Sequence, residues 1–175
     1  MPSITKENYL KAIYSLSYDD PMVSLSDLSR EMGVSVPTVN SMVKKLEKDS
    51  WVKHERYKPL KLSVKGKREA ARIVRRHRLT EMFLVKIMGF GWEEVHNIAE
   101  EMEHIDSERL FDRMDELLNY PSVDPHGSPI PDKEGKVEQL NHIPLSERST
   151  GDRVRICALK ESTTDLLVYL NEQDI

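Results

Sequence analysis

Two sets of side chains in the middle of this chain are of the types that ligate cations or move protons. His77 and Glu81 stand four residues apart, and His96, Glu100, Glu103 and His104 follow with the spacing His-x3-Glu-x2-Glu-His. On a helix advancing about 100° per residue, positions four apart share a face, so each set converges if its segment is helical. His77 and Glu81 fall among Ala70, Ile73, Val74, Leu84 and Met88, a run of apolar residues at helical spacing. Burying an imidazole beside a carboxylate is costly unless something pairs with them, and a divalent cation is the simplest partner. The four residues of the second set occupy an arc of roughly 100°, with Ile98, Ala99, Met102 and Ile105 on the opposite side. Cys157 is the sole cysteine, which excludes a thiolate cage and a disulfide framework. Nitrogen and oxygen donors alone favour a hard or borderline ion, Mn2+ or Fe2+, over structural Zn2+. The competing readings are a solvated acidic face with incidental histidines, and a catalytic metal centre in which His and Glu activate water. No nucleophile motif or glycine-rich substrate loop accompanies the cluster, which weighs against catalysis.

Helices are required to hold these residues, and the sequence supplies them. A long one is expected over about 64–88, ended by Gly89 and Gly91, with a second over about 92–105 and a third over about 107–118. After Tyr120 the texture changes: Pro121, Pro125, Gly127, Pro129, Pro131 and Gly135 mark an extended connector. Residues 137–140 and 153–159 read as short strands, and 164–170 as a final helical turn.

The first 63 residues have a different pattern. A helix over 5–16, with Thr5 as N-cap, carries Tyr9, Leu10, Ile13 and Leu16 on one stripe. A short helix over 26–32 is closed by Gly33, and Ser35 caps a further helix with Pro37 in its first turn. That order is a helix-turn-helix. Residues 51–62 then alternate around a basic tip, Arg56-Tyr57-Lys58, as a hairpin wing does. The charge is divided accordingly: residues 1–80 carry 17 Lys and Arg against 9 Asp and Glu, a net of +8, while the rest of the chain is net −12. A basic half joined to an acidic half points to a polyanion for the first and cations or a second subunit for the other. On the 35–49 helix, Ser35, Pro37, Thr38, Asn40 and Ser41 lie toward the N-terminal end, where short polar groups reach base edges. Lys44 and Lys45 lie further along, suited to phosphates, with the wing tip on the flanking backbone. The plain alternative is a solvated helix face rich in lysine. No segment approaches the roughly 18 apolar residues of a membrane span, and no secretion signal opens the chain, so a cytoplasmic protein is expected.

Four motifs together carry a family resemblance: Thr5-Lys6-Glu7-Asn8-Tyr9-Leu10-Lys11-Ala12-Ile13-Tyr14, Arg76-His77-Arg78-Leu79-x-Glu81, His96-x3-Glu100-x2-Glu103-His104 and Asp124-Pro125-His126-Gly127. Over about residues 4–130 the chain resembles the DtxR/MntR family of metal-dependent repressors. The resemblance implies a mainly α protein: a winged helix-turn-helix DNA-binding domain over 1–63, a helical metal-binding and dimerisation domain over 64–120, and a connector over 121–175. That connector leads toward a C-terminal SH3-like domain that is absent or truncated. Members bind palindromic DNA operators as homodimers when loaded with Mn2+ or Fe2+ and repress metal-uptake genes. By the same resemblance a primary site would use Asn8, Glu100, Glu103 and His104, with His77 a further candidate. A second site would use His77, Glu81 and His96, or else Glu81, Asp124 and His126 as in streptococcal-type manganese members, with Asp165 a further candidate. Asn8 stands where the family often has Asp or Met, Lys11 where one manganese subgroup has Glu, and Asp124 where a Cys is common. The last change leaves an all-oxygen and nitrogen donor set. A winged-helix regulator answering an organic ligand is the remaining alternative, one that predicts a hydrophobic pocket and no metal affinity. The dimer surface is expected among Phe83, Ile87, Phe90, Trp92, Leu110, Phe111 and Leu117, whose other reading is ordinary core.

Overall fold

In a computed structural model, residues 3–18, 20–55, 58–138, 140–160 and 162–175 are described. The chain divides into two compact units, Met1–Val74 with Lys133–Lys136, and Arg75–Asp132 with Val137–Ile175.

The first unit opens with α1 (Ile4–Leu16), whose N-cap position is held by Ser3 rather than Thr5; Ser3 makes no side-chain cap bond. Tyr9, Leu10, Ala12 and Ile13 are buried along one stripe of α1. Helix α2 (Leu25–Glu31) begins one residue before the expected start because Ser24 caps it reciprocally. The Ser24 hydroxyl accepts from the Asp27 N–H at 3.0 Å and donates to the Asp27 carboxylate at 2.7 Å. Gly33 turns the chain at φ +62°, where a Cβ would be strained. Ser35 then caps α3 (Val36–Lys48), with Pro37 in the first turn and Val39, Val43 and Leu46 inward. Strands β1 (Val52–Lys53) and β2 (Lys61–Leu62) pair antiparallel, and Val23 adds a bridge to Leu60. Helix α4 runs Val64–Lys86, and its residues up to Val74 belong to this unit. Its start lies so close to the wing that a Cβ on Gly66 would sit 1.9 Å from the Trp51 carbonyl oxygen. Leu10, Ile13, Leu28, Val39, Val43, Leu46, Leu60, Leu62 and Ile73 close one core. This is the winged helix-turn-helix that the sequence predicts.

The second unit packs Leu79, Phe111, Met114 and Ile130 as its core, with Phe83, Met102, Leu110 and Leu118 partly buried against them. These residues come from the rest of α4, from the end of α5 (Val95–Met102), from α6 (Glu108–Leu117, capped by Ser107) with the residue that follows it, and from the connector. Helix α5 is shorter than expected. Arg76, buried in α4, pairs with Glu108 and lies over the Phe111 ring at 5.0 Å. Helix α7 covers Thr164–Glu172, capped by Thr163. Three expectations fail here. Met88 lies beyond the end of α4 and is 57% exposed, so it is not part of the buried stripe. Ile105, expected on the apolar side of the second sensing helix, lies beyond the end of α5 and is likewise exposed. No strand forms among the described residues of 137–140 and 153–159. Val154 and Ile156 stay exposed, so the alternation there has no apolar layer to bury against and no partner strand to satisfy it. Among the described residues no helix is long and apolar enough to cross a membrane.

Candidate metal centre

The sensing side chains collect in the second unit. Helix α4 carries His77 and Glu81 one turn apart, both buried as their apolar surroundings foretold. Helix α5 carries His96 and Glu100, while Glu103 occupies its C-cap and His104 the residue after. Glu103 shares the buried side of this helix with Val95 and Ala99 and is 0% exposed. A fully buried carboxylate needs partners, and its Oε2 lies 2.6 Å from His77 Nδ1. The other ring nitrogen, His77 Nε2, lies 3.0 Å from Glu81 Oε1. An ionised carboxylate only accepts, so a ring nitrogen that carries hydrogen donates to the oxygen it faces. His96 Nδ1 is 3.4 Å from the same Glu81 oxygen, and its Nε2 is 3.7 Å from Glu100 Oε1. His104 Nε2 stands 3.6 Å from Glu103 Oε1.

The connector brings a second group to the far oxygen of Glu81. A tight turn over 123–129, closed by a bridge between Val123 and Pro129, buries Asp124 and His126. Asp124 Oδ1 accepts the N–H groups of His126 and Ser128, each at 2.9 Å, an Asx-type arrangement that holds the carboxylate rigidly. Gly127 is at φ +85°, and a Cβ there would lie 2.2 Å from the Cys157 carbonyl oxygen. The backbone of 157–159 therefore lies directly over the turn, and the Leu159 N–H donates to the His126 carbonyl at 2.9 Å. His126 Nδ1 is 3.8 Å from Glu81 Oε2.

Two sets thus converge closely enough to share an ion: His77, His96 and Glu100, and the wholly buried Glu81, Asp124 and His126. Their electrostatics differ. Burial alone would raise the Glu81 carboxyl, but hydrogen bonds from His77 and His96 and the charges of His77 and His126 hold it down at about 2. The Asp124 carboxyl is raised, first by burial and then by the Glu81 charge, in spite of Arg78 Nε 3.5 Å away. Two buried carboxylates this close together, with the Arg78 guanidinium beside Asp124, are what a cation would relieve. The donors are nitrogen and oxygen throughout, and the residues present fit Mn2+ or Fe2+.

Of the other anticipated ligands, Asn8 belongs to the first unit. Its Oδ1 is buried with no hydrogen-bond partner among the described residues. Asp165 is exposed on the first turn of α7 and joins neither group. On α3 the anticipated DNA contacts Ser35, Pro37, Thr38, Ser41, Lys44 and Lys45 are exposed and Asn40 is half-buried. Lys58 is exposed but paired with Glu55 at 2.5 Å, while Arg56 and Tyr57 lie outside the described residues. Among the aromatic and aliphatic residues expected at a dimer surface, Phe111 is buried in the core of its own unit, whereas Ile87 and Leu117 are about half exposed. Sequence reasoning did not foresee three neighbours of the buried group: Arg78 beside Asp124, Trp92 against His126 and Asn171 against Trp92. Arg78 stood within a quoted motif, but nothing in the spacing ties Trp92 or Asn171 to the site.

A winged helix followed by a helical unit that gathers His and carboxylate donors defines a metal-responsive DNA-binding regulator. The family profile described as the iron dependent repressor N-terminal DNA binding domain matches residues 1–60, and that of the iron dependent repressor metal binding and dimerisation domain matches residues 63–132. The chain belongs to this iron-dependent repressor family. It is 33% identical over 159 residues to the iron-dependent repressor IdeR of Mycobacterium bovis, covering 87% of this chain and 69% of that protein. With the transcriptional regulator MntR of Geobacillus thermodenitrificans it shares 33% over 143 residues, covering 82% of this chain and 94% of that one. Among solved structures, a manganese-dependent transcriptional repressor in complex with manganese superposes with a TM-score of 0.86 at 35% identity, over 97% of this chain and 78% of that one.

Proposed function

We propose that this protein is a cytoplasmic, homodimeric repressor of metal-uptake genes that binds a palindromic operator when loaded with Mn2+ or Fe2+. The observation that carries the reading is the pair of adjoining His and carboxylate groups on α4, α5 and the connector, built without a thiolate. Residues 1–63 are assigned to operator binding, 64–120 to metal binding and dimerisation, and 121–175 to a connector that contributes Asp124 and His126. We read the ligands as two sets. His77, His96 and Glu100 form one, adjoined by the fully buried Glu103 and by His104; Asn8 is a further candidate ligand, its buried carbonyl having no hydrogen-bond partner among the described residues. Glu81, Asp124 and His126 form the other. No catalytic role is assigned to them. When bound, the cation supplies positive charge that lets these carboxylates lie together, and its chemistry ends there.

The chain's own residues supply the rest. α3 presents Thr38, Asn40 and Ser41 to base edges, while Lys44, Lys45 and the wing engage phosphates. Half-sites about one DNA turn apart must match the spacing of two α3 helices in a dimer. Metal loading of the sensor helices is the condition for holding that spacing, and apparent affinity falls with the fraction of competent dimer. Mobility-shift titrations of chelator-stripped protein with and without Mn2+ test this. Mn2+ is expected to strengthen operator binding, and Glu103→Ala to remove the enhancement with the circular dichroism unchanged. Equal binding by stripped and loaded wild-type protein would refute the reading.

A further inference from the structure

In the buried group, each donor residue has one atom already held by a neighbour. Glu81 Oε1 faces the histidines of the other group at 3.0 and 3.4 Å, and Asp124 Oδ1 accepts two backbone N–H groups. His126 Nε2 lies 3.0 Å from the backbone carbonyl of Trp92. A carbonyl has no hydrogen to give, so this contact requires Nε2–H, and the neutral ring then carries its lone pair on Nδ1. The atoms turned toward a cation are Glu81 Oε2, His126 Nδ1 and Asp124 Oδ2, the last of which also lies 3.5 Å from Arg78 Nε. Oε2 and Nδ1 already face each other across 3.8 Å.

Trp92 does more than accept that hydrogen bond. Its ring stacks on the His126 ring, with centroids 5.9 Å apart and planes 19° from parallel. Its indole N–H donates to Asn171 Oδ1 on α7 at 2.7 Å, and the Asn171 amide donates in turn to Glu93 Oε2 at 3.1 Å. A residue held at both its ring and its indole nitrogen has little freedom to turn, and neither does the imidazole against it. We propose that Trp92 is the positioning residue of the Glu81–Asp124–His126 group: it fixes His126 as the Nε2–H tautomer with Nδ1 toward the cation, and Asn171 on α7 holds Trp92 in place. The C-terminal helix thereby contributes to metal affinity although it supplies no ligand to this group. The assignment rests on the metal reading above and adds to it which atoms ligate and what aligns them.

Two measurements test it. Long-range nitrogen–proton correlation spectra of the metal-free wild-type protein should show His126 protonated on Nε2 and bare on Nδ1; an Nδ1–H ring would overturn the assignment without any substitution. Mn2+ titrations then use the emission of Trp92, which a paramagnetic ion at the adjoining group quenches; Trp92→Leu identifies its share beside that of Trp51. Asn171→Ala, at an exposed position, should raise the Mn2+ concentration needed for quenching about 10- to 100-fold, the usual effect of losing support behind a ligand. Asn171→Gln should recover part of the loss. An unmoved midpoint in Asn171→Ala, with its circular dichroism intact, would overturn the proposal. Wild-type protein that takes up no Mn2+ would end the metal reading itself, whereas Mn2+ uptake with an Nδ1–H ring would end only this assignment.

Discussion

Glu81 sits at the junction of the two groups, and replacing it with Gln in metal-free protein should flatten the dependence of stability on acid. Its carboxyl is held at about 2 against an ordinary 4.5, with burial opposing and the hydrogen bonds and charges of His77, His96 and His126 outweighing it. At about 1.4 kcal/mol per unit, that difference is worth about 3 kcal/mol. The sign follows from linkage: the folded value is the lower one, so between the two values the unfolded chain binds the proton more readily. The contribution is therefore complete above about pH 4.5 and is lost as the pH falls through about 2. Gln has no proton to exchange, so the stability difference between wild type and Glu81→Gln should shift by about 3 kcal/mol across that window. Relief of the neighbouring Asp124, whose raised carboxyl owes part of its displacement to the Glu81 charge, should make the measured shift somewhat smaller. Urea denaturation of chelator-treated protein, followed by circular dichroism from about pH 5 down to about pH 2, reads this directly. Parallel curves, with a difference that stays constant over the window, would show that Glu81 is not held between the histidines.

Gly127→Ala should destabilise the second unit by about 2 kcal/mol or more, because φ is +85° and the new Cβ would meet the Cys157 carbonyl oxygen; a lowered melting temperature and weakened Mn2+ binding check it. Mn2+ binding should release protons, since a ligating imidazole nitrogen must be bare and both ring nitrogens of His77 lie within hydrogen-bond distance of carboxylate oxygens; calorimetry in buffers of different ionisation enthalpy counts them. Lys44→Ala should weaken operator and random DNA alike and reduce the slope of log affinity against log salt by about 0.9, as expected for one lost phosphate contact.

How much of this was legible in advance follows from the range of the forces involved. The DNA-binding unit is written in short-range signals. Ser24 and Ser35 satisfy helix N–H groups within three residues, Gly33 supplies a local backbone need, and alternation over 51–62 marks a hairpin, so that unit was readable almost element by element. His77 and Glu81 were readable for a similar reason, since one turn of helix sets their separation and polar groups within an apolar stripe contradict their surroundings. The failures arise where a local signal needed a distant partner: the alternation in 153–159 found no layer to pack against, and the arc on α5 ended at Met102, leaving Glu103 and His104 to the cap and the turn beyond it.

By itself the sequence determined the winged helix, the helices of the sensing half and the nitrogen and oxygen donors they carry, because each depends on residue identity and on spacings shorter than two helical turns. Only the tertiary structure decided how those donors are partitioned. It is the fold of the connector that sets Asp124 and His126 against the far oxygen of Glu81, and the packing of α7 that sets Asn171 against Trp92 and so aims His126. Contacts between residues 30 to 80 positions apart leave no periodic trace in a chain, since their geometry is fixed by the closure of the core rather than by any local rule.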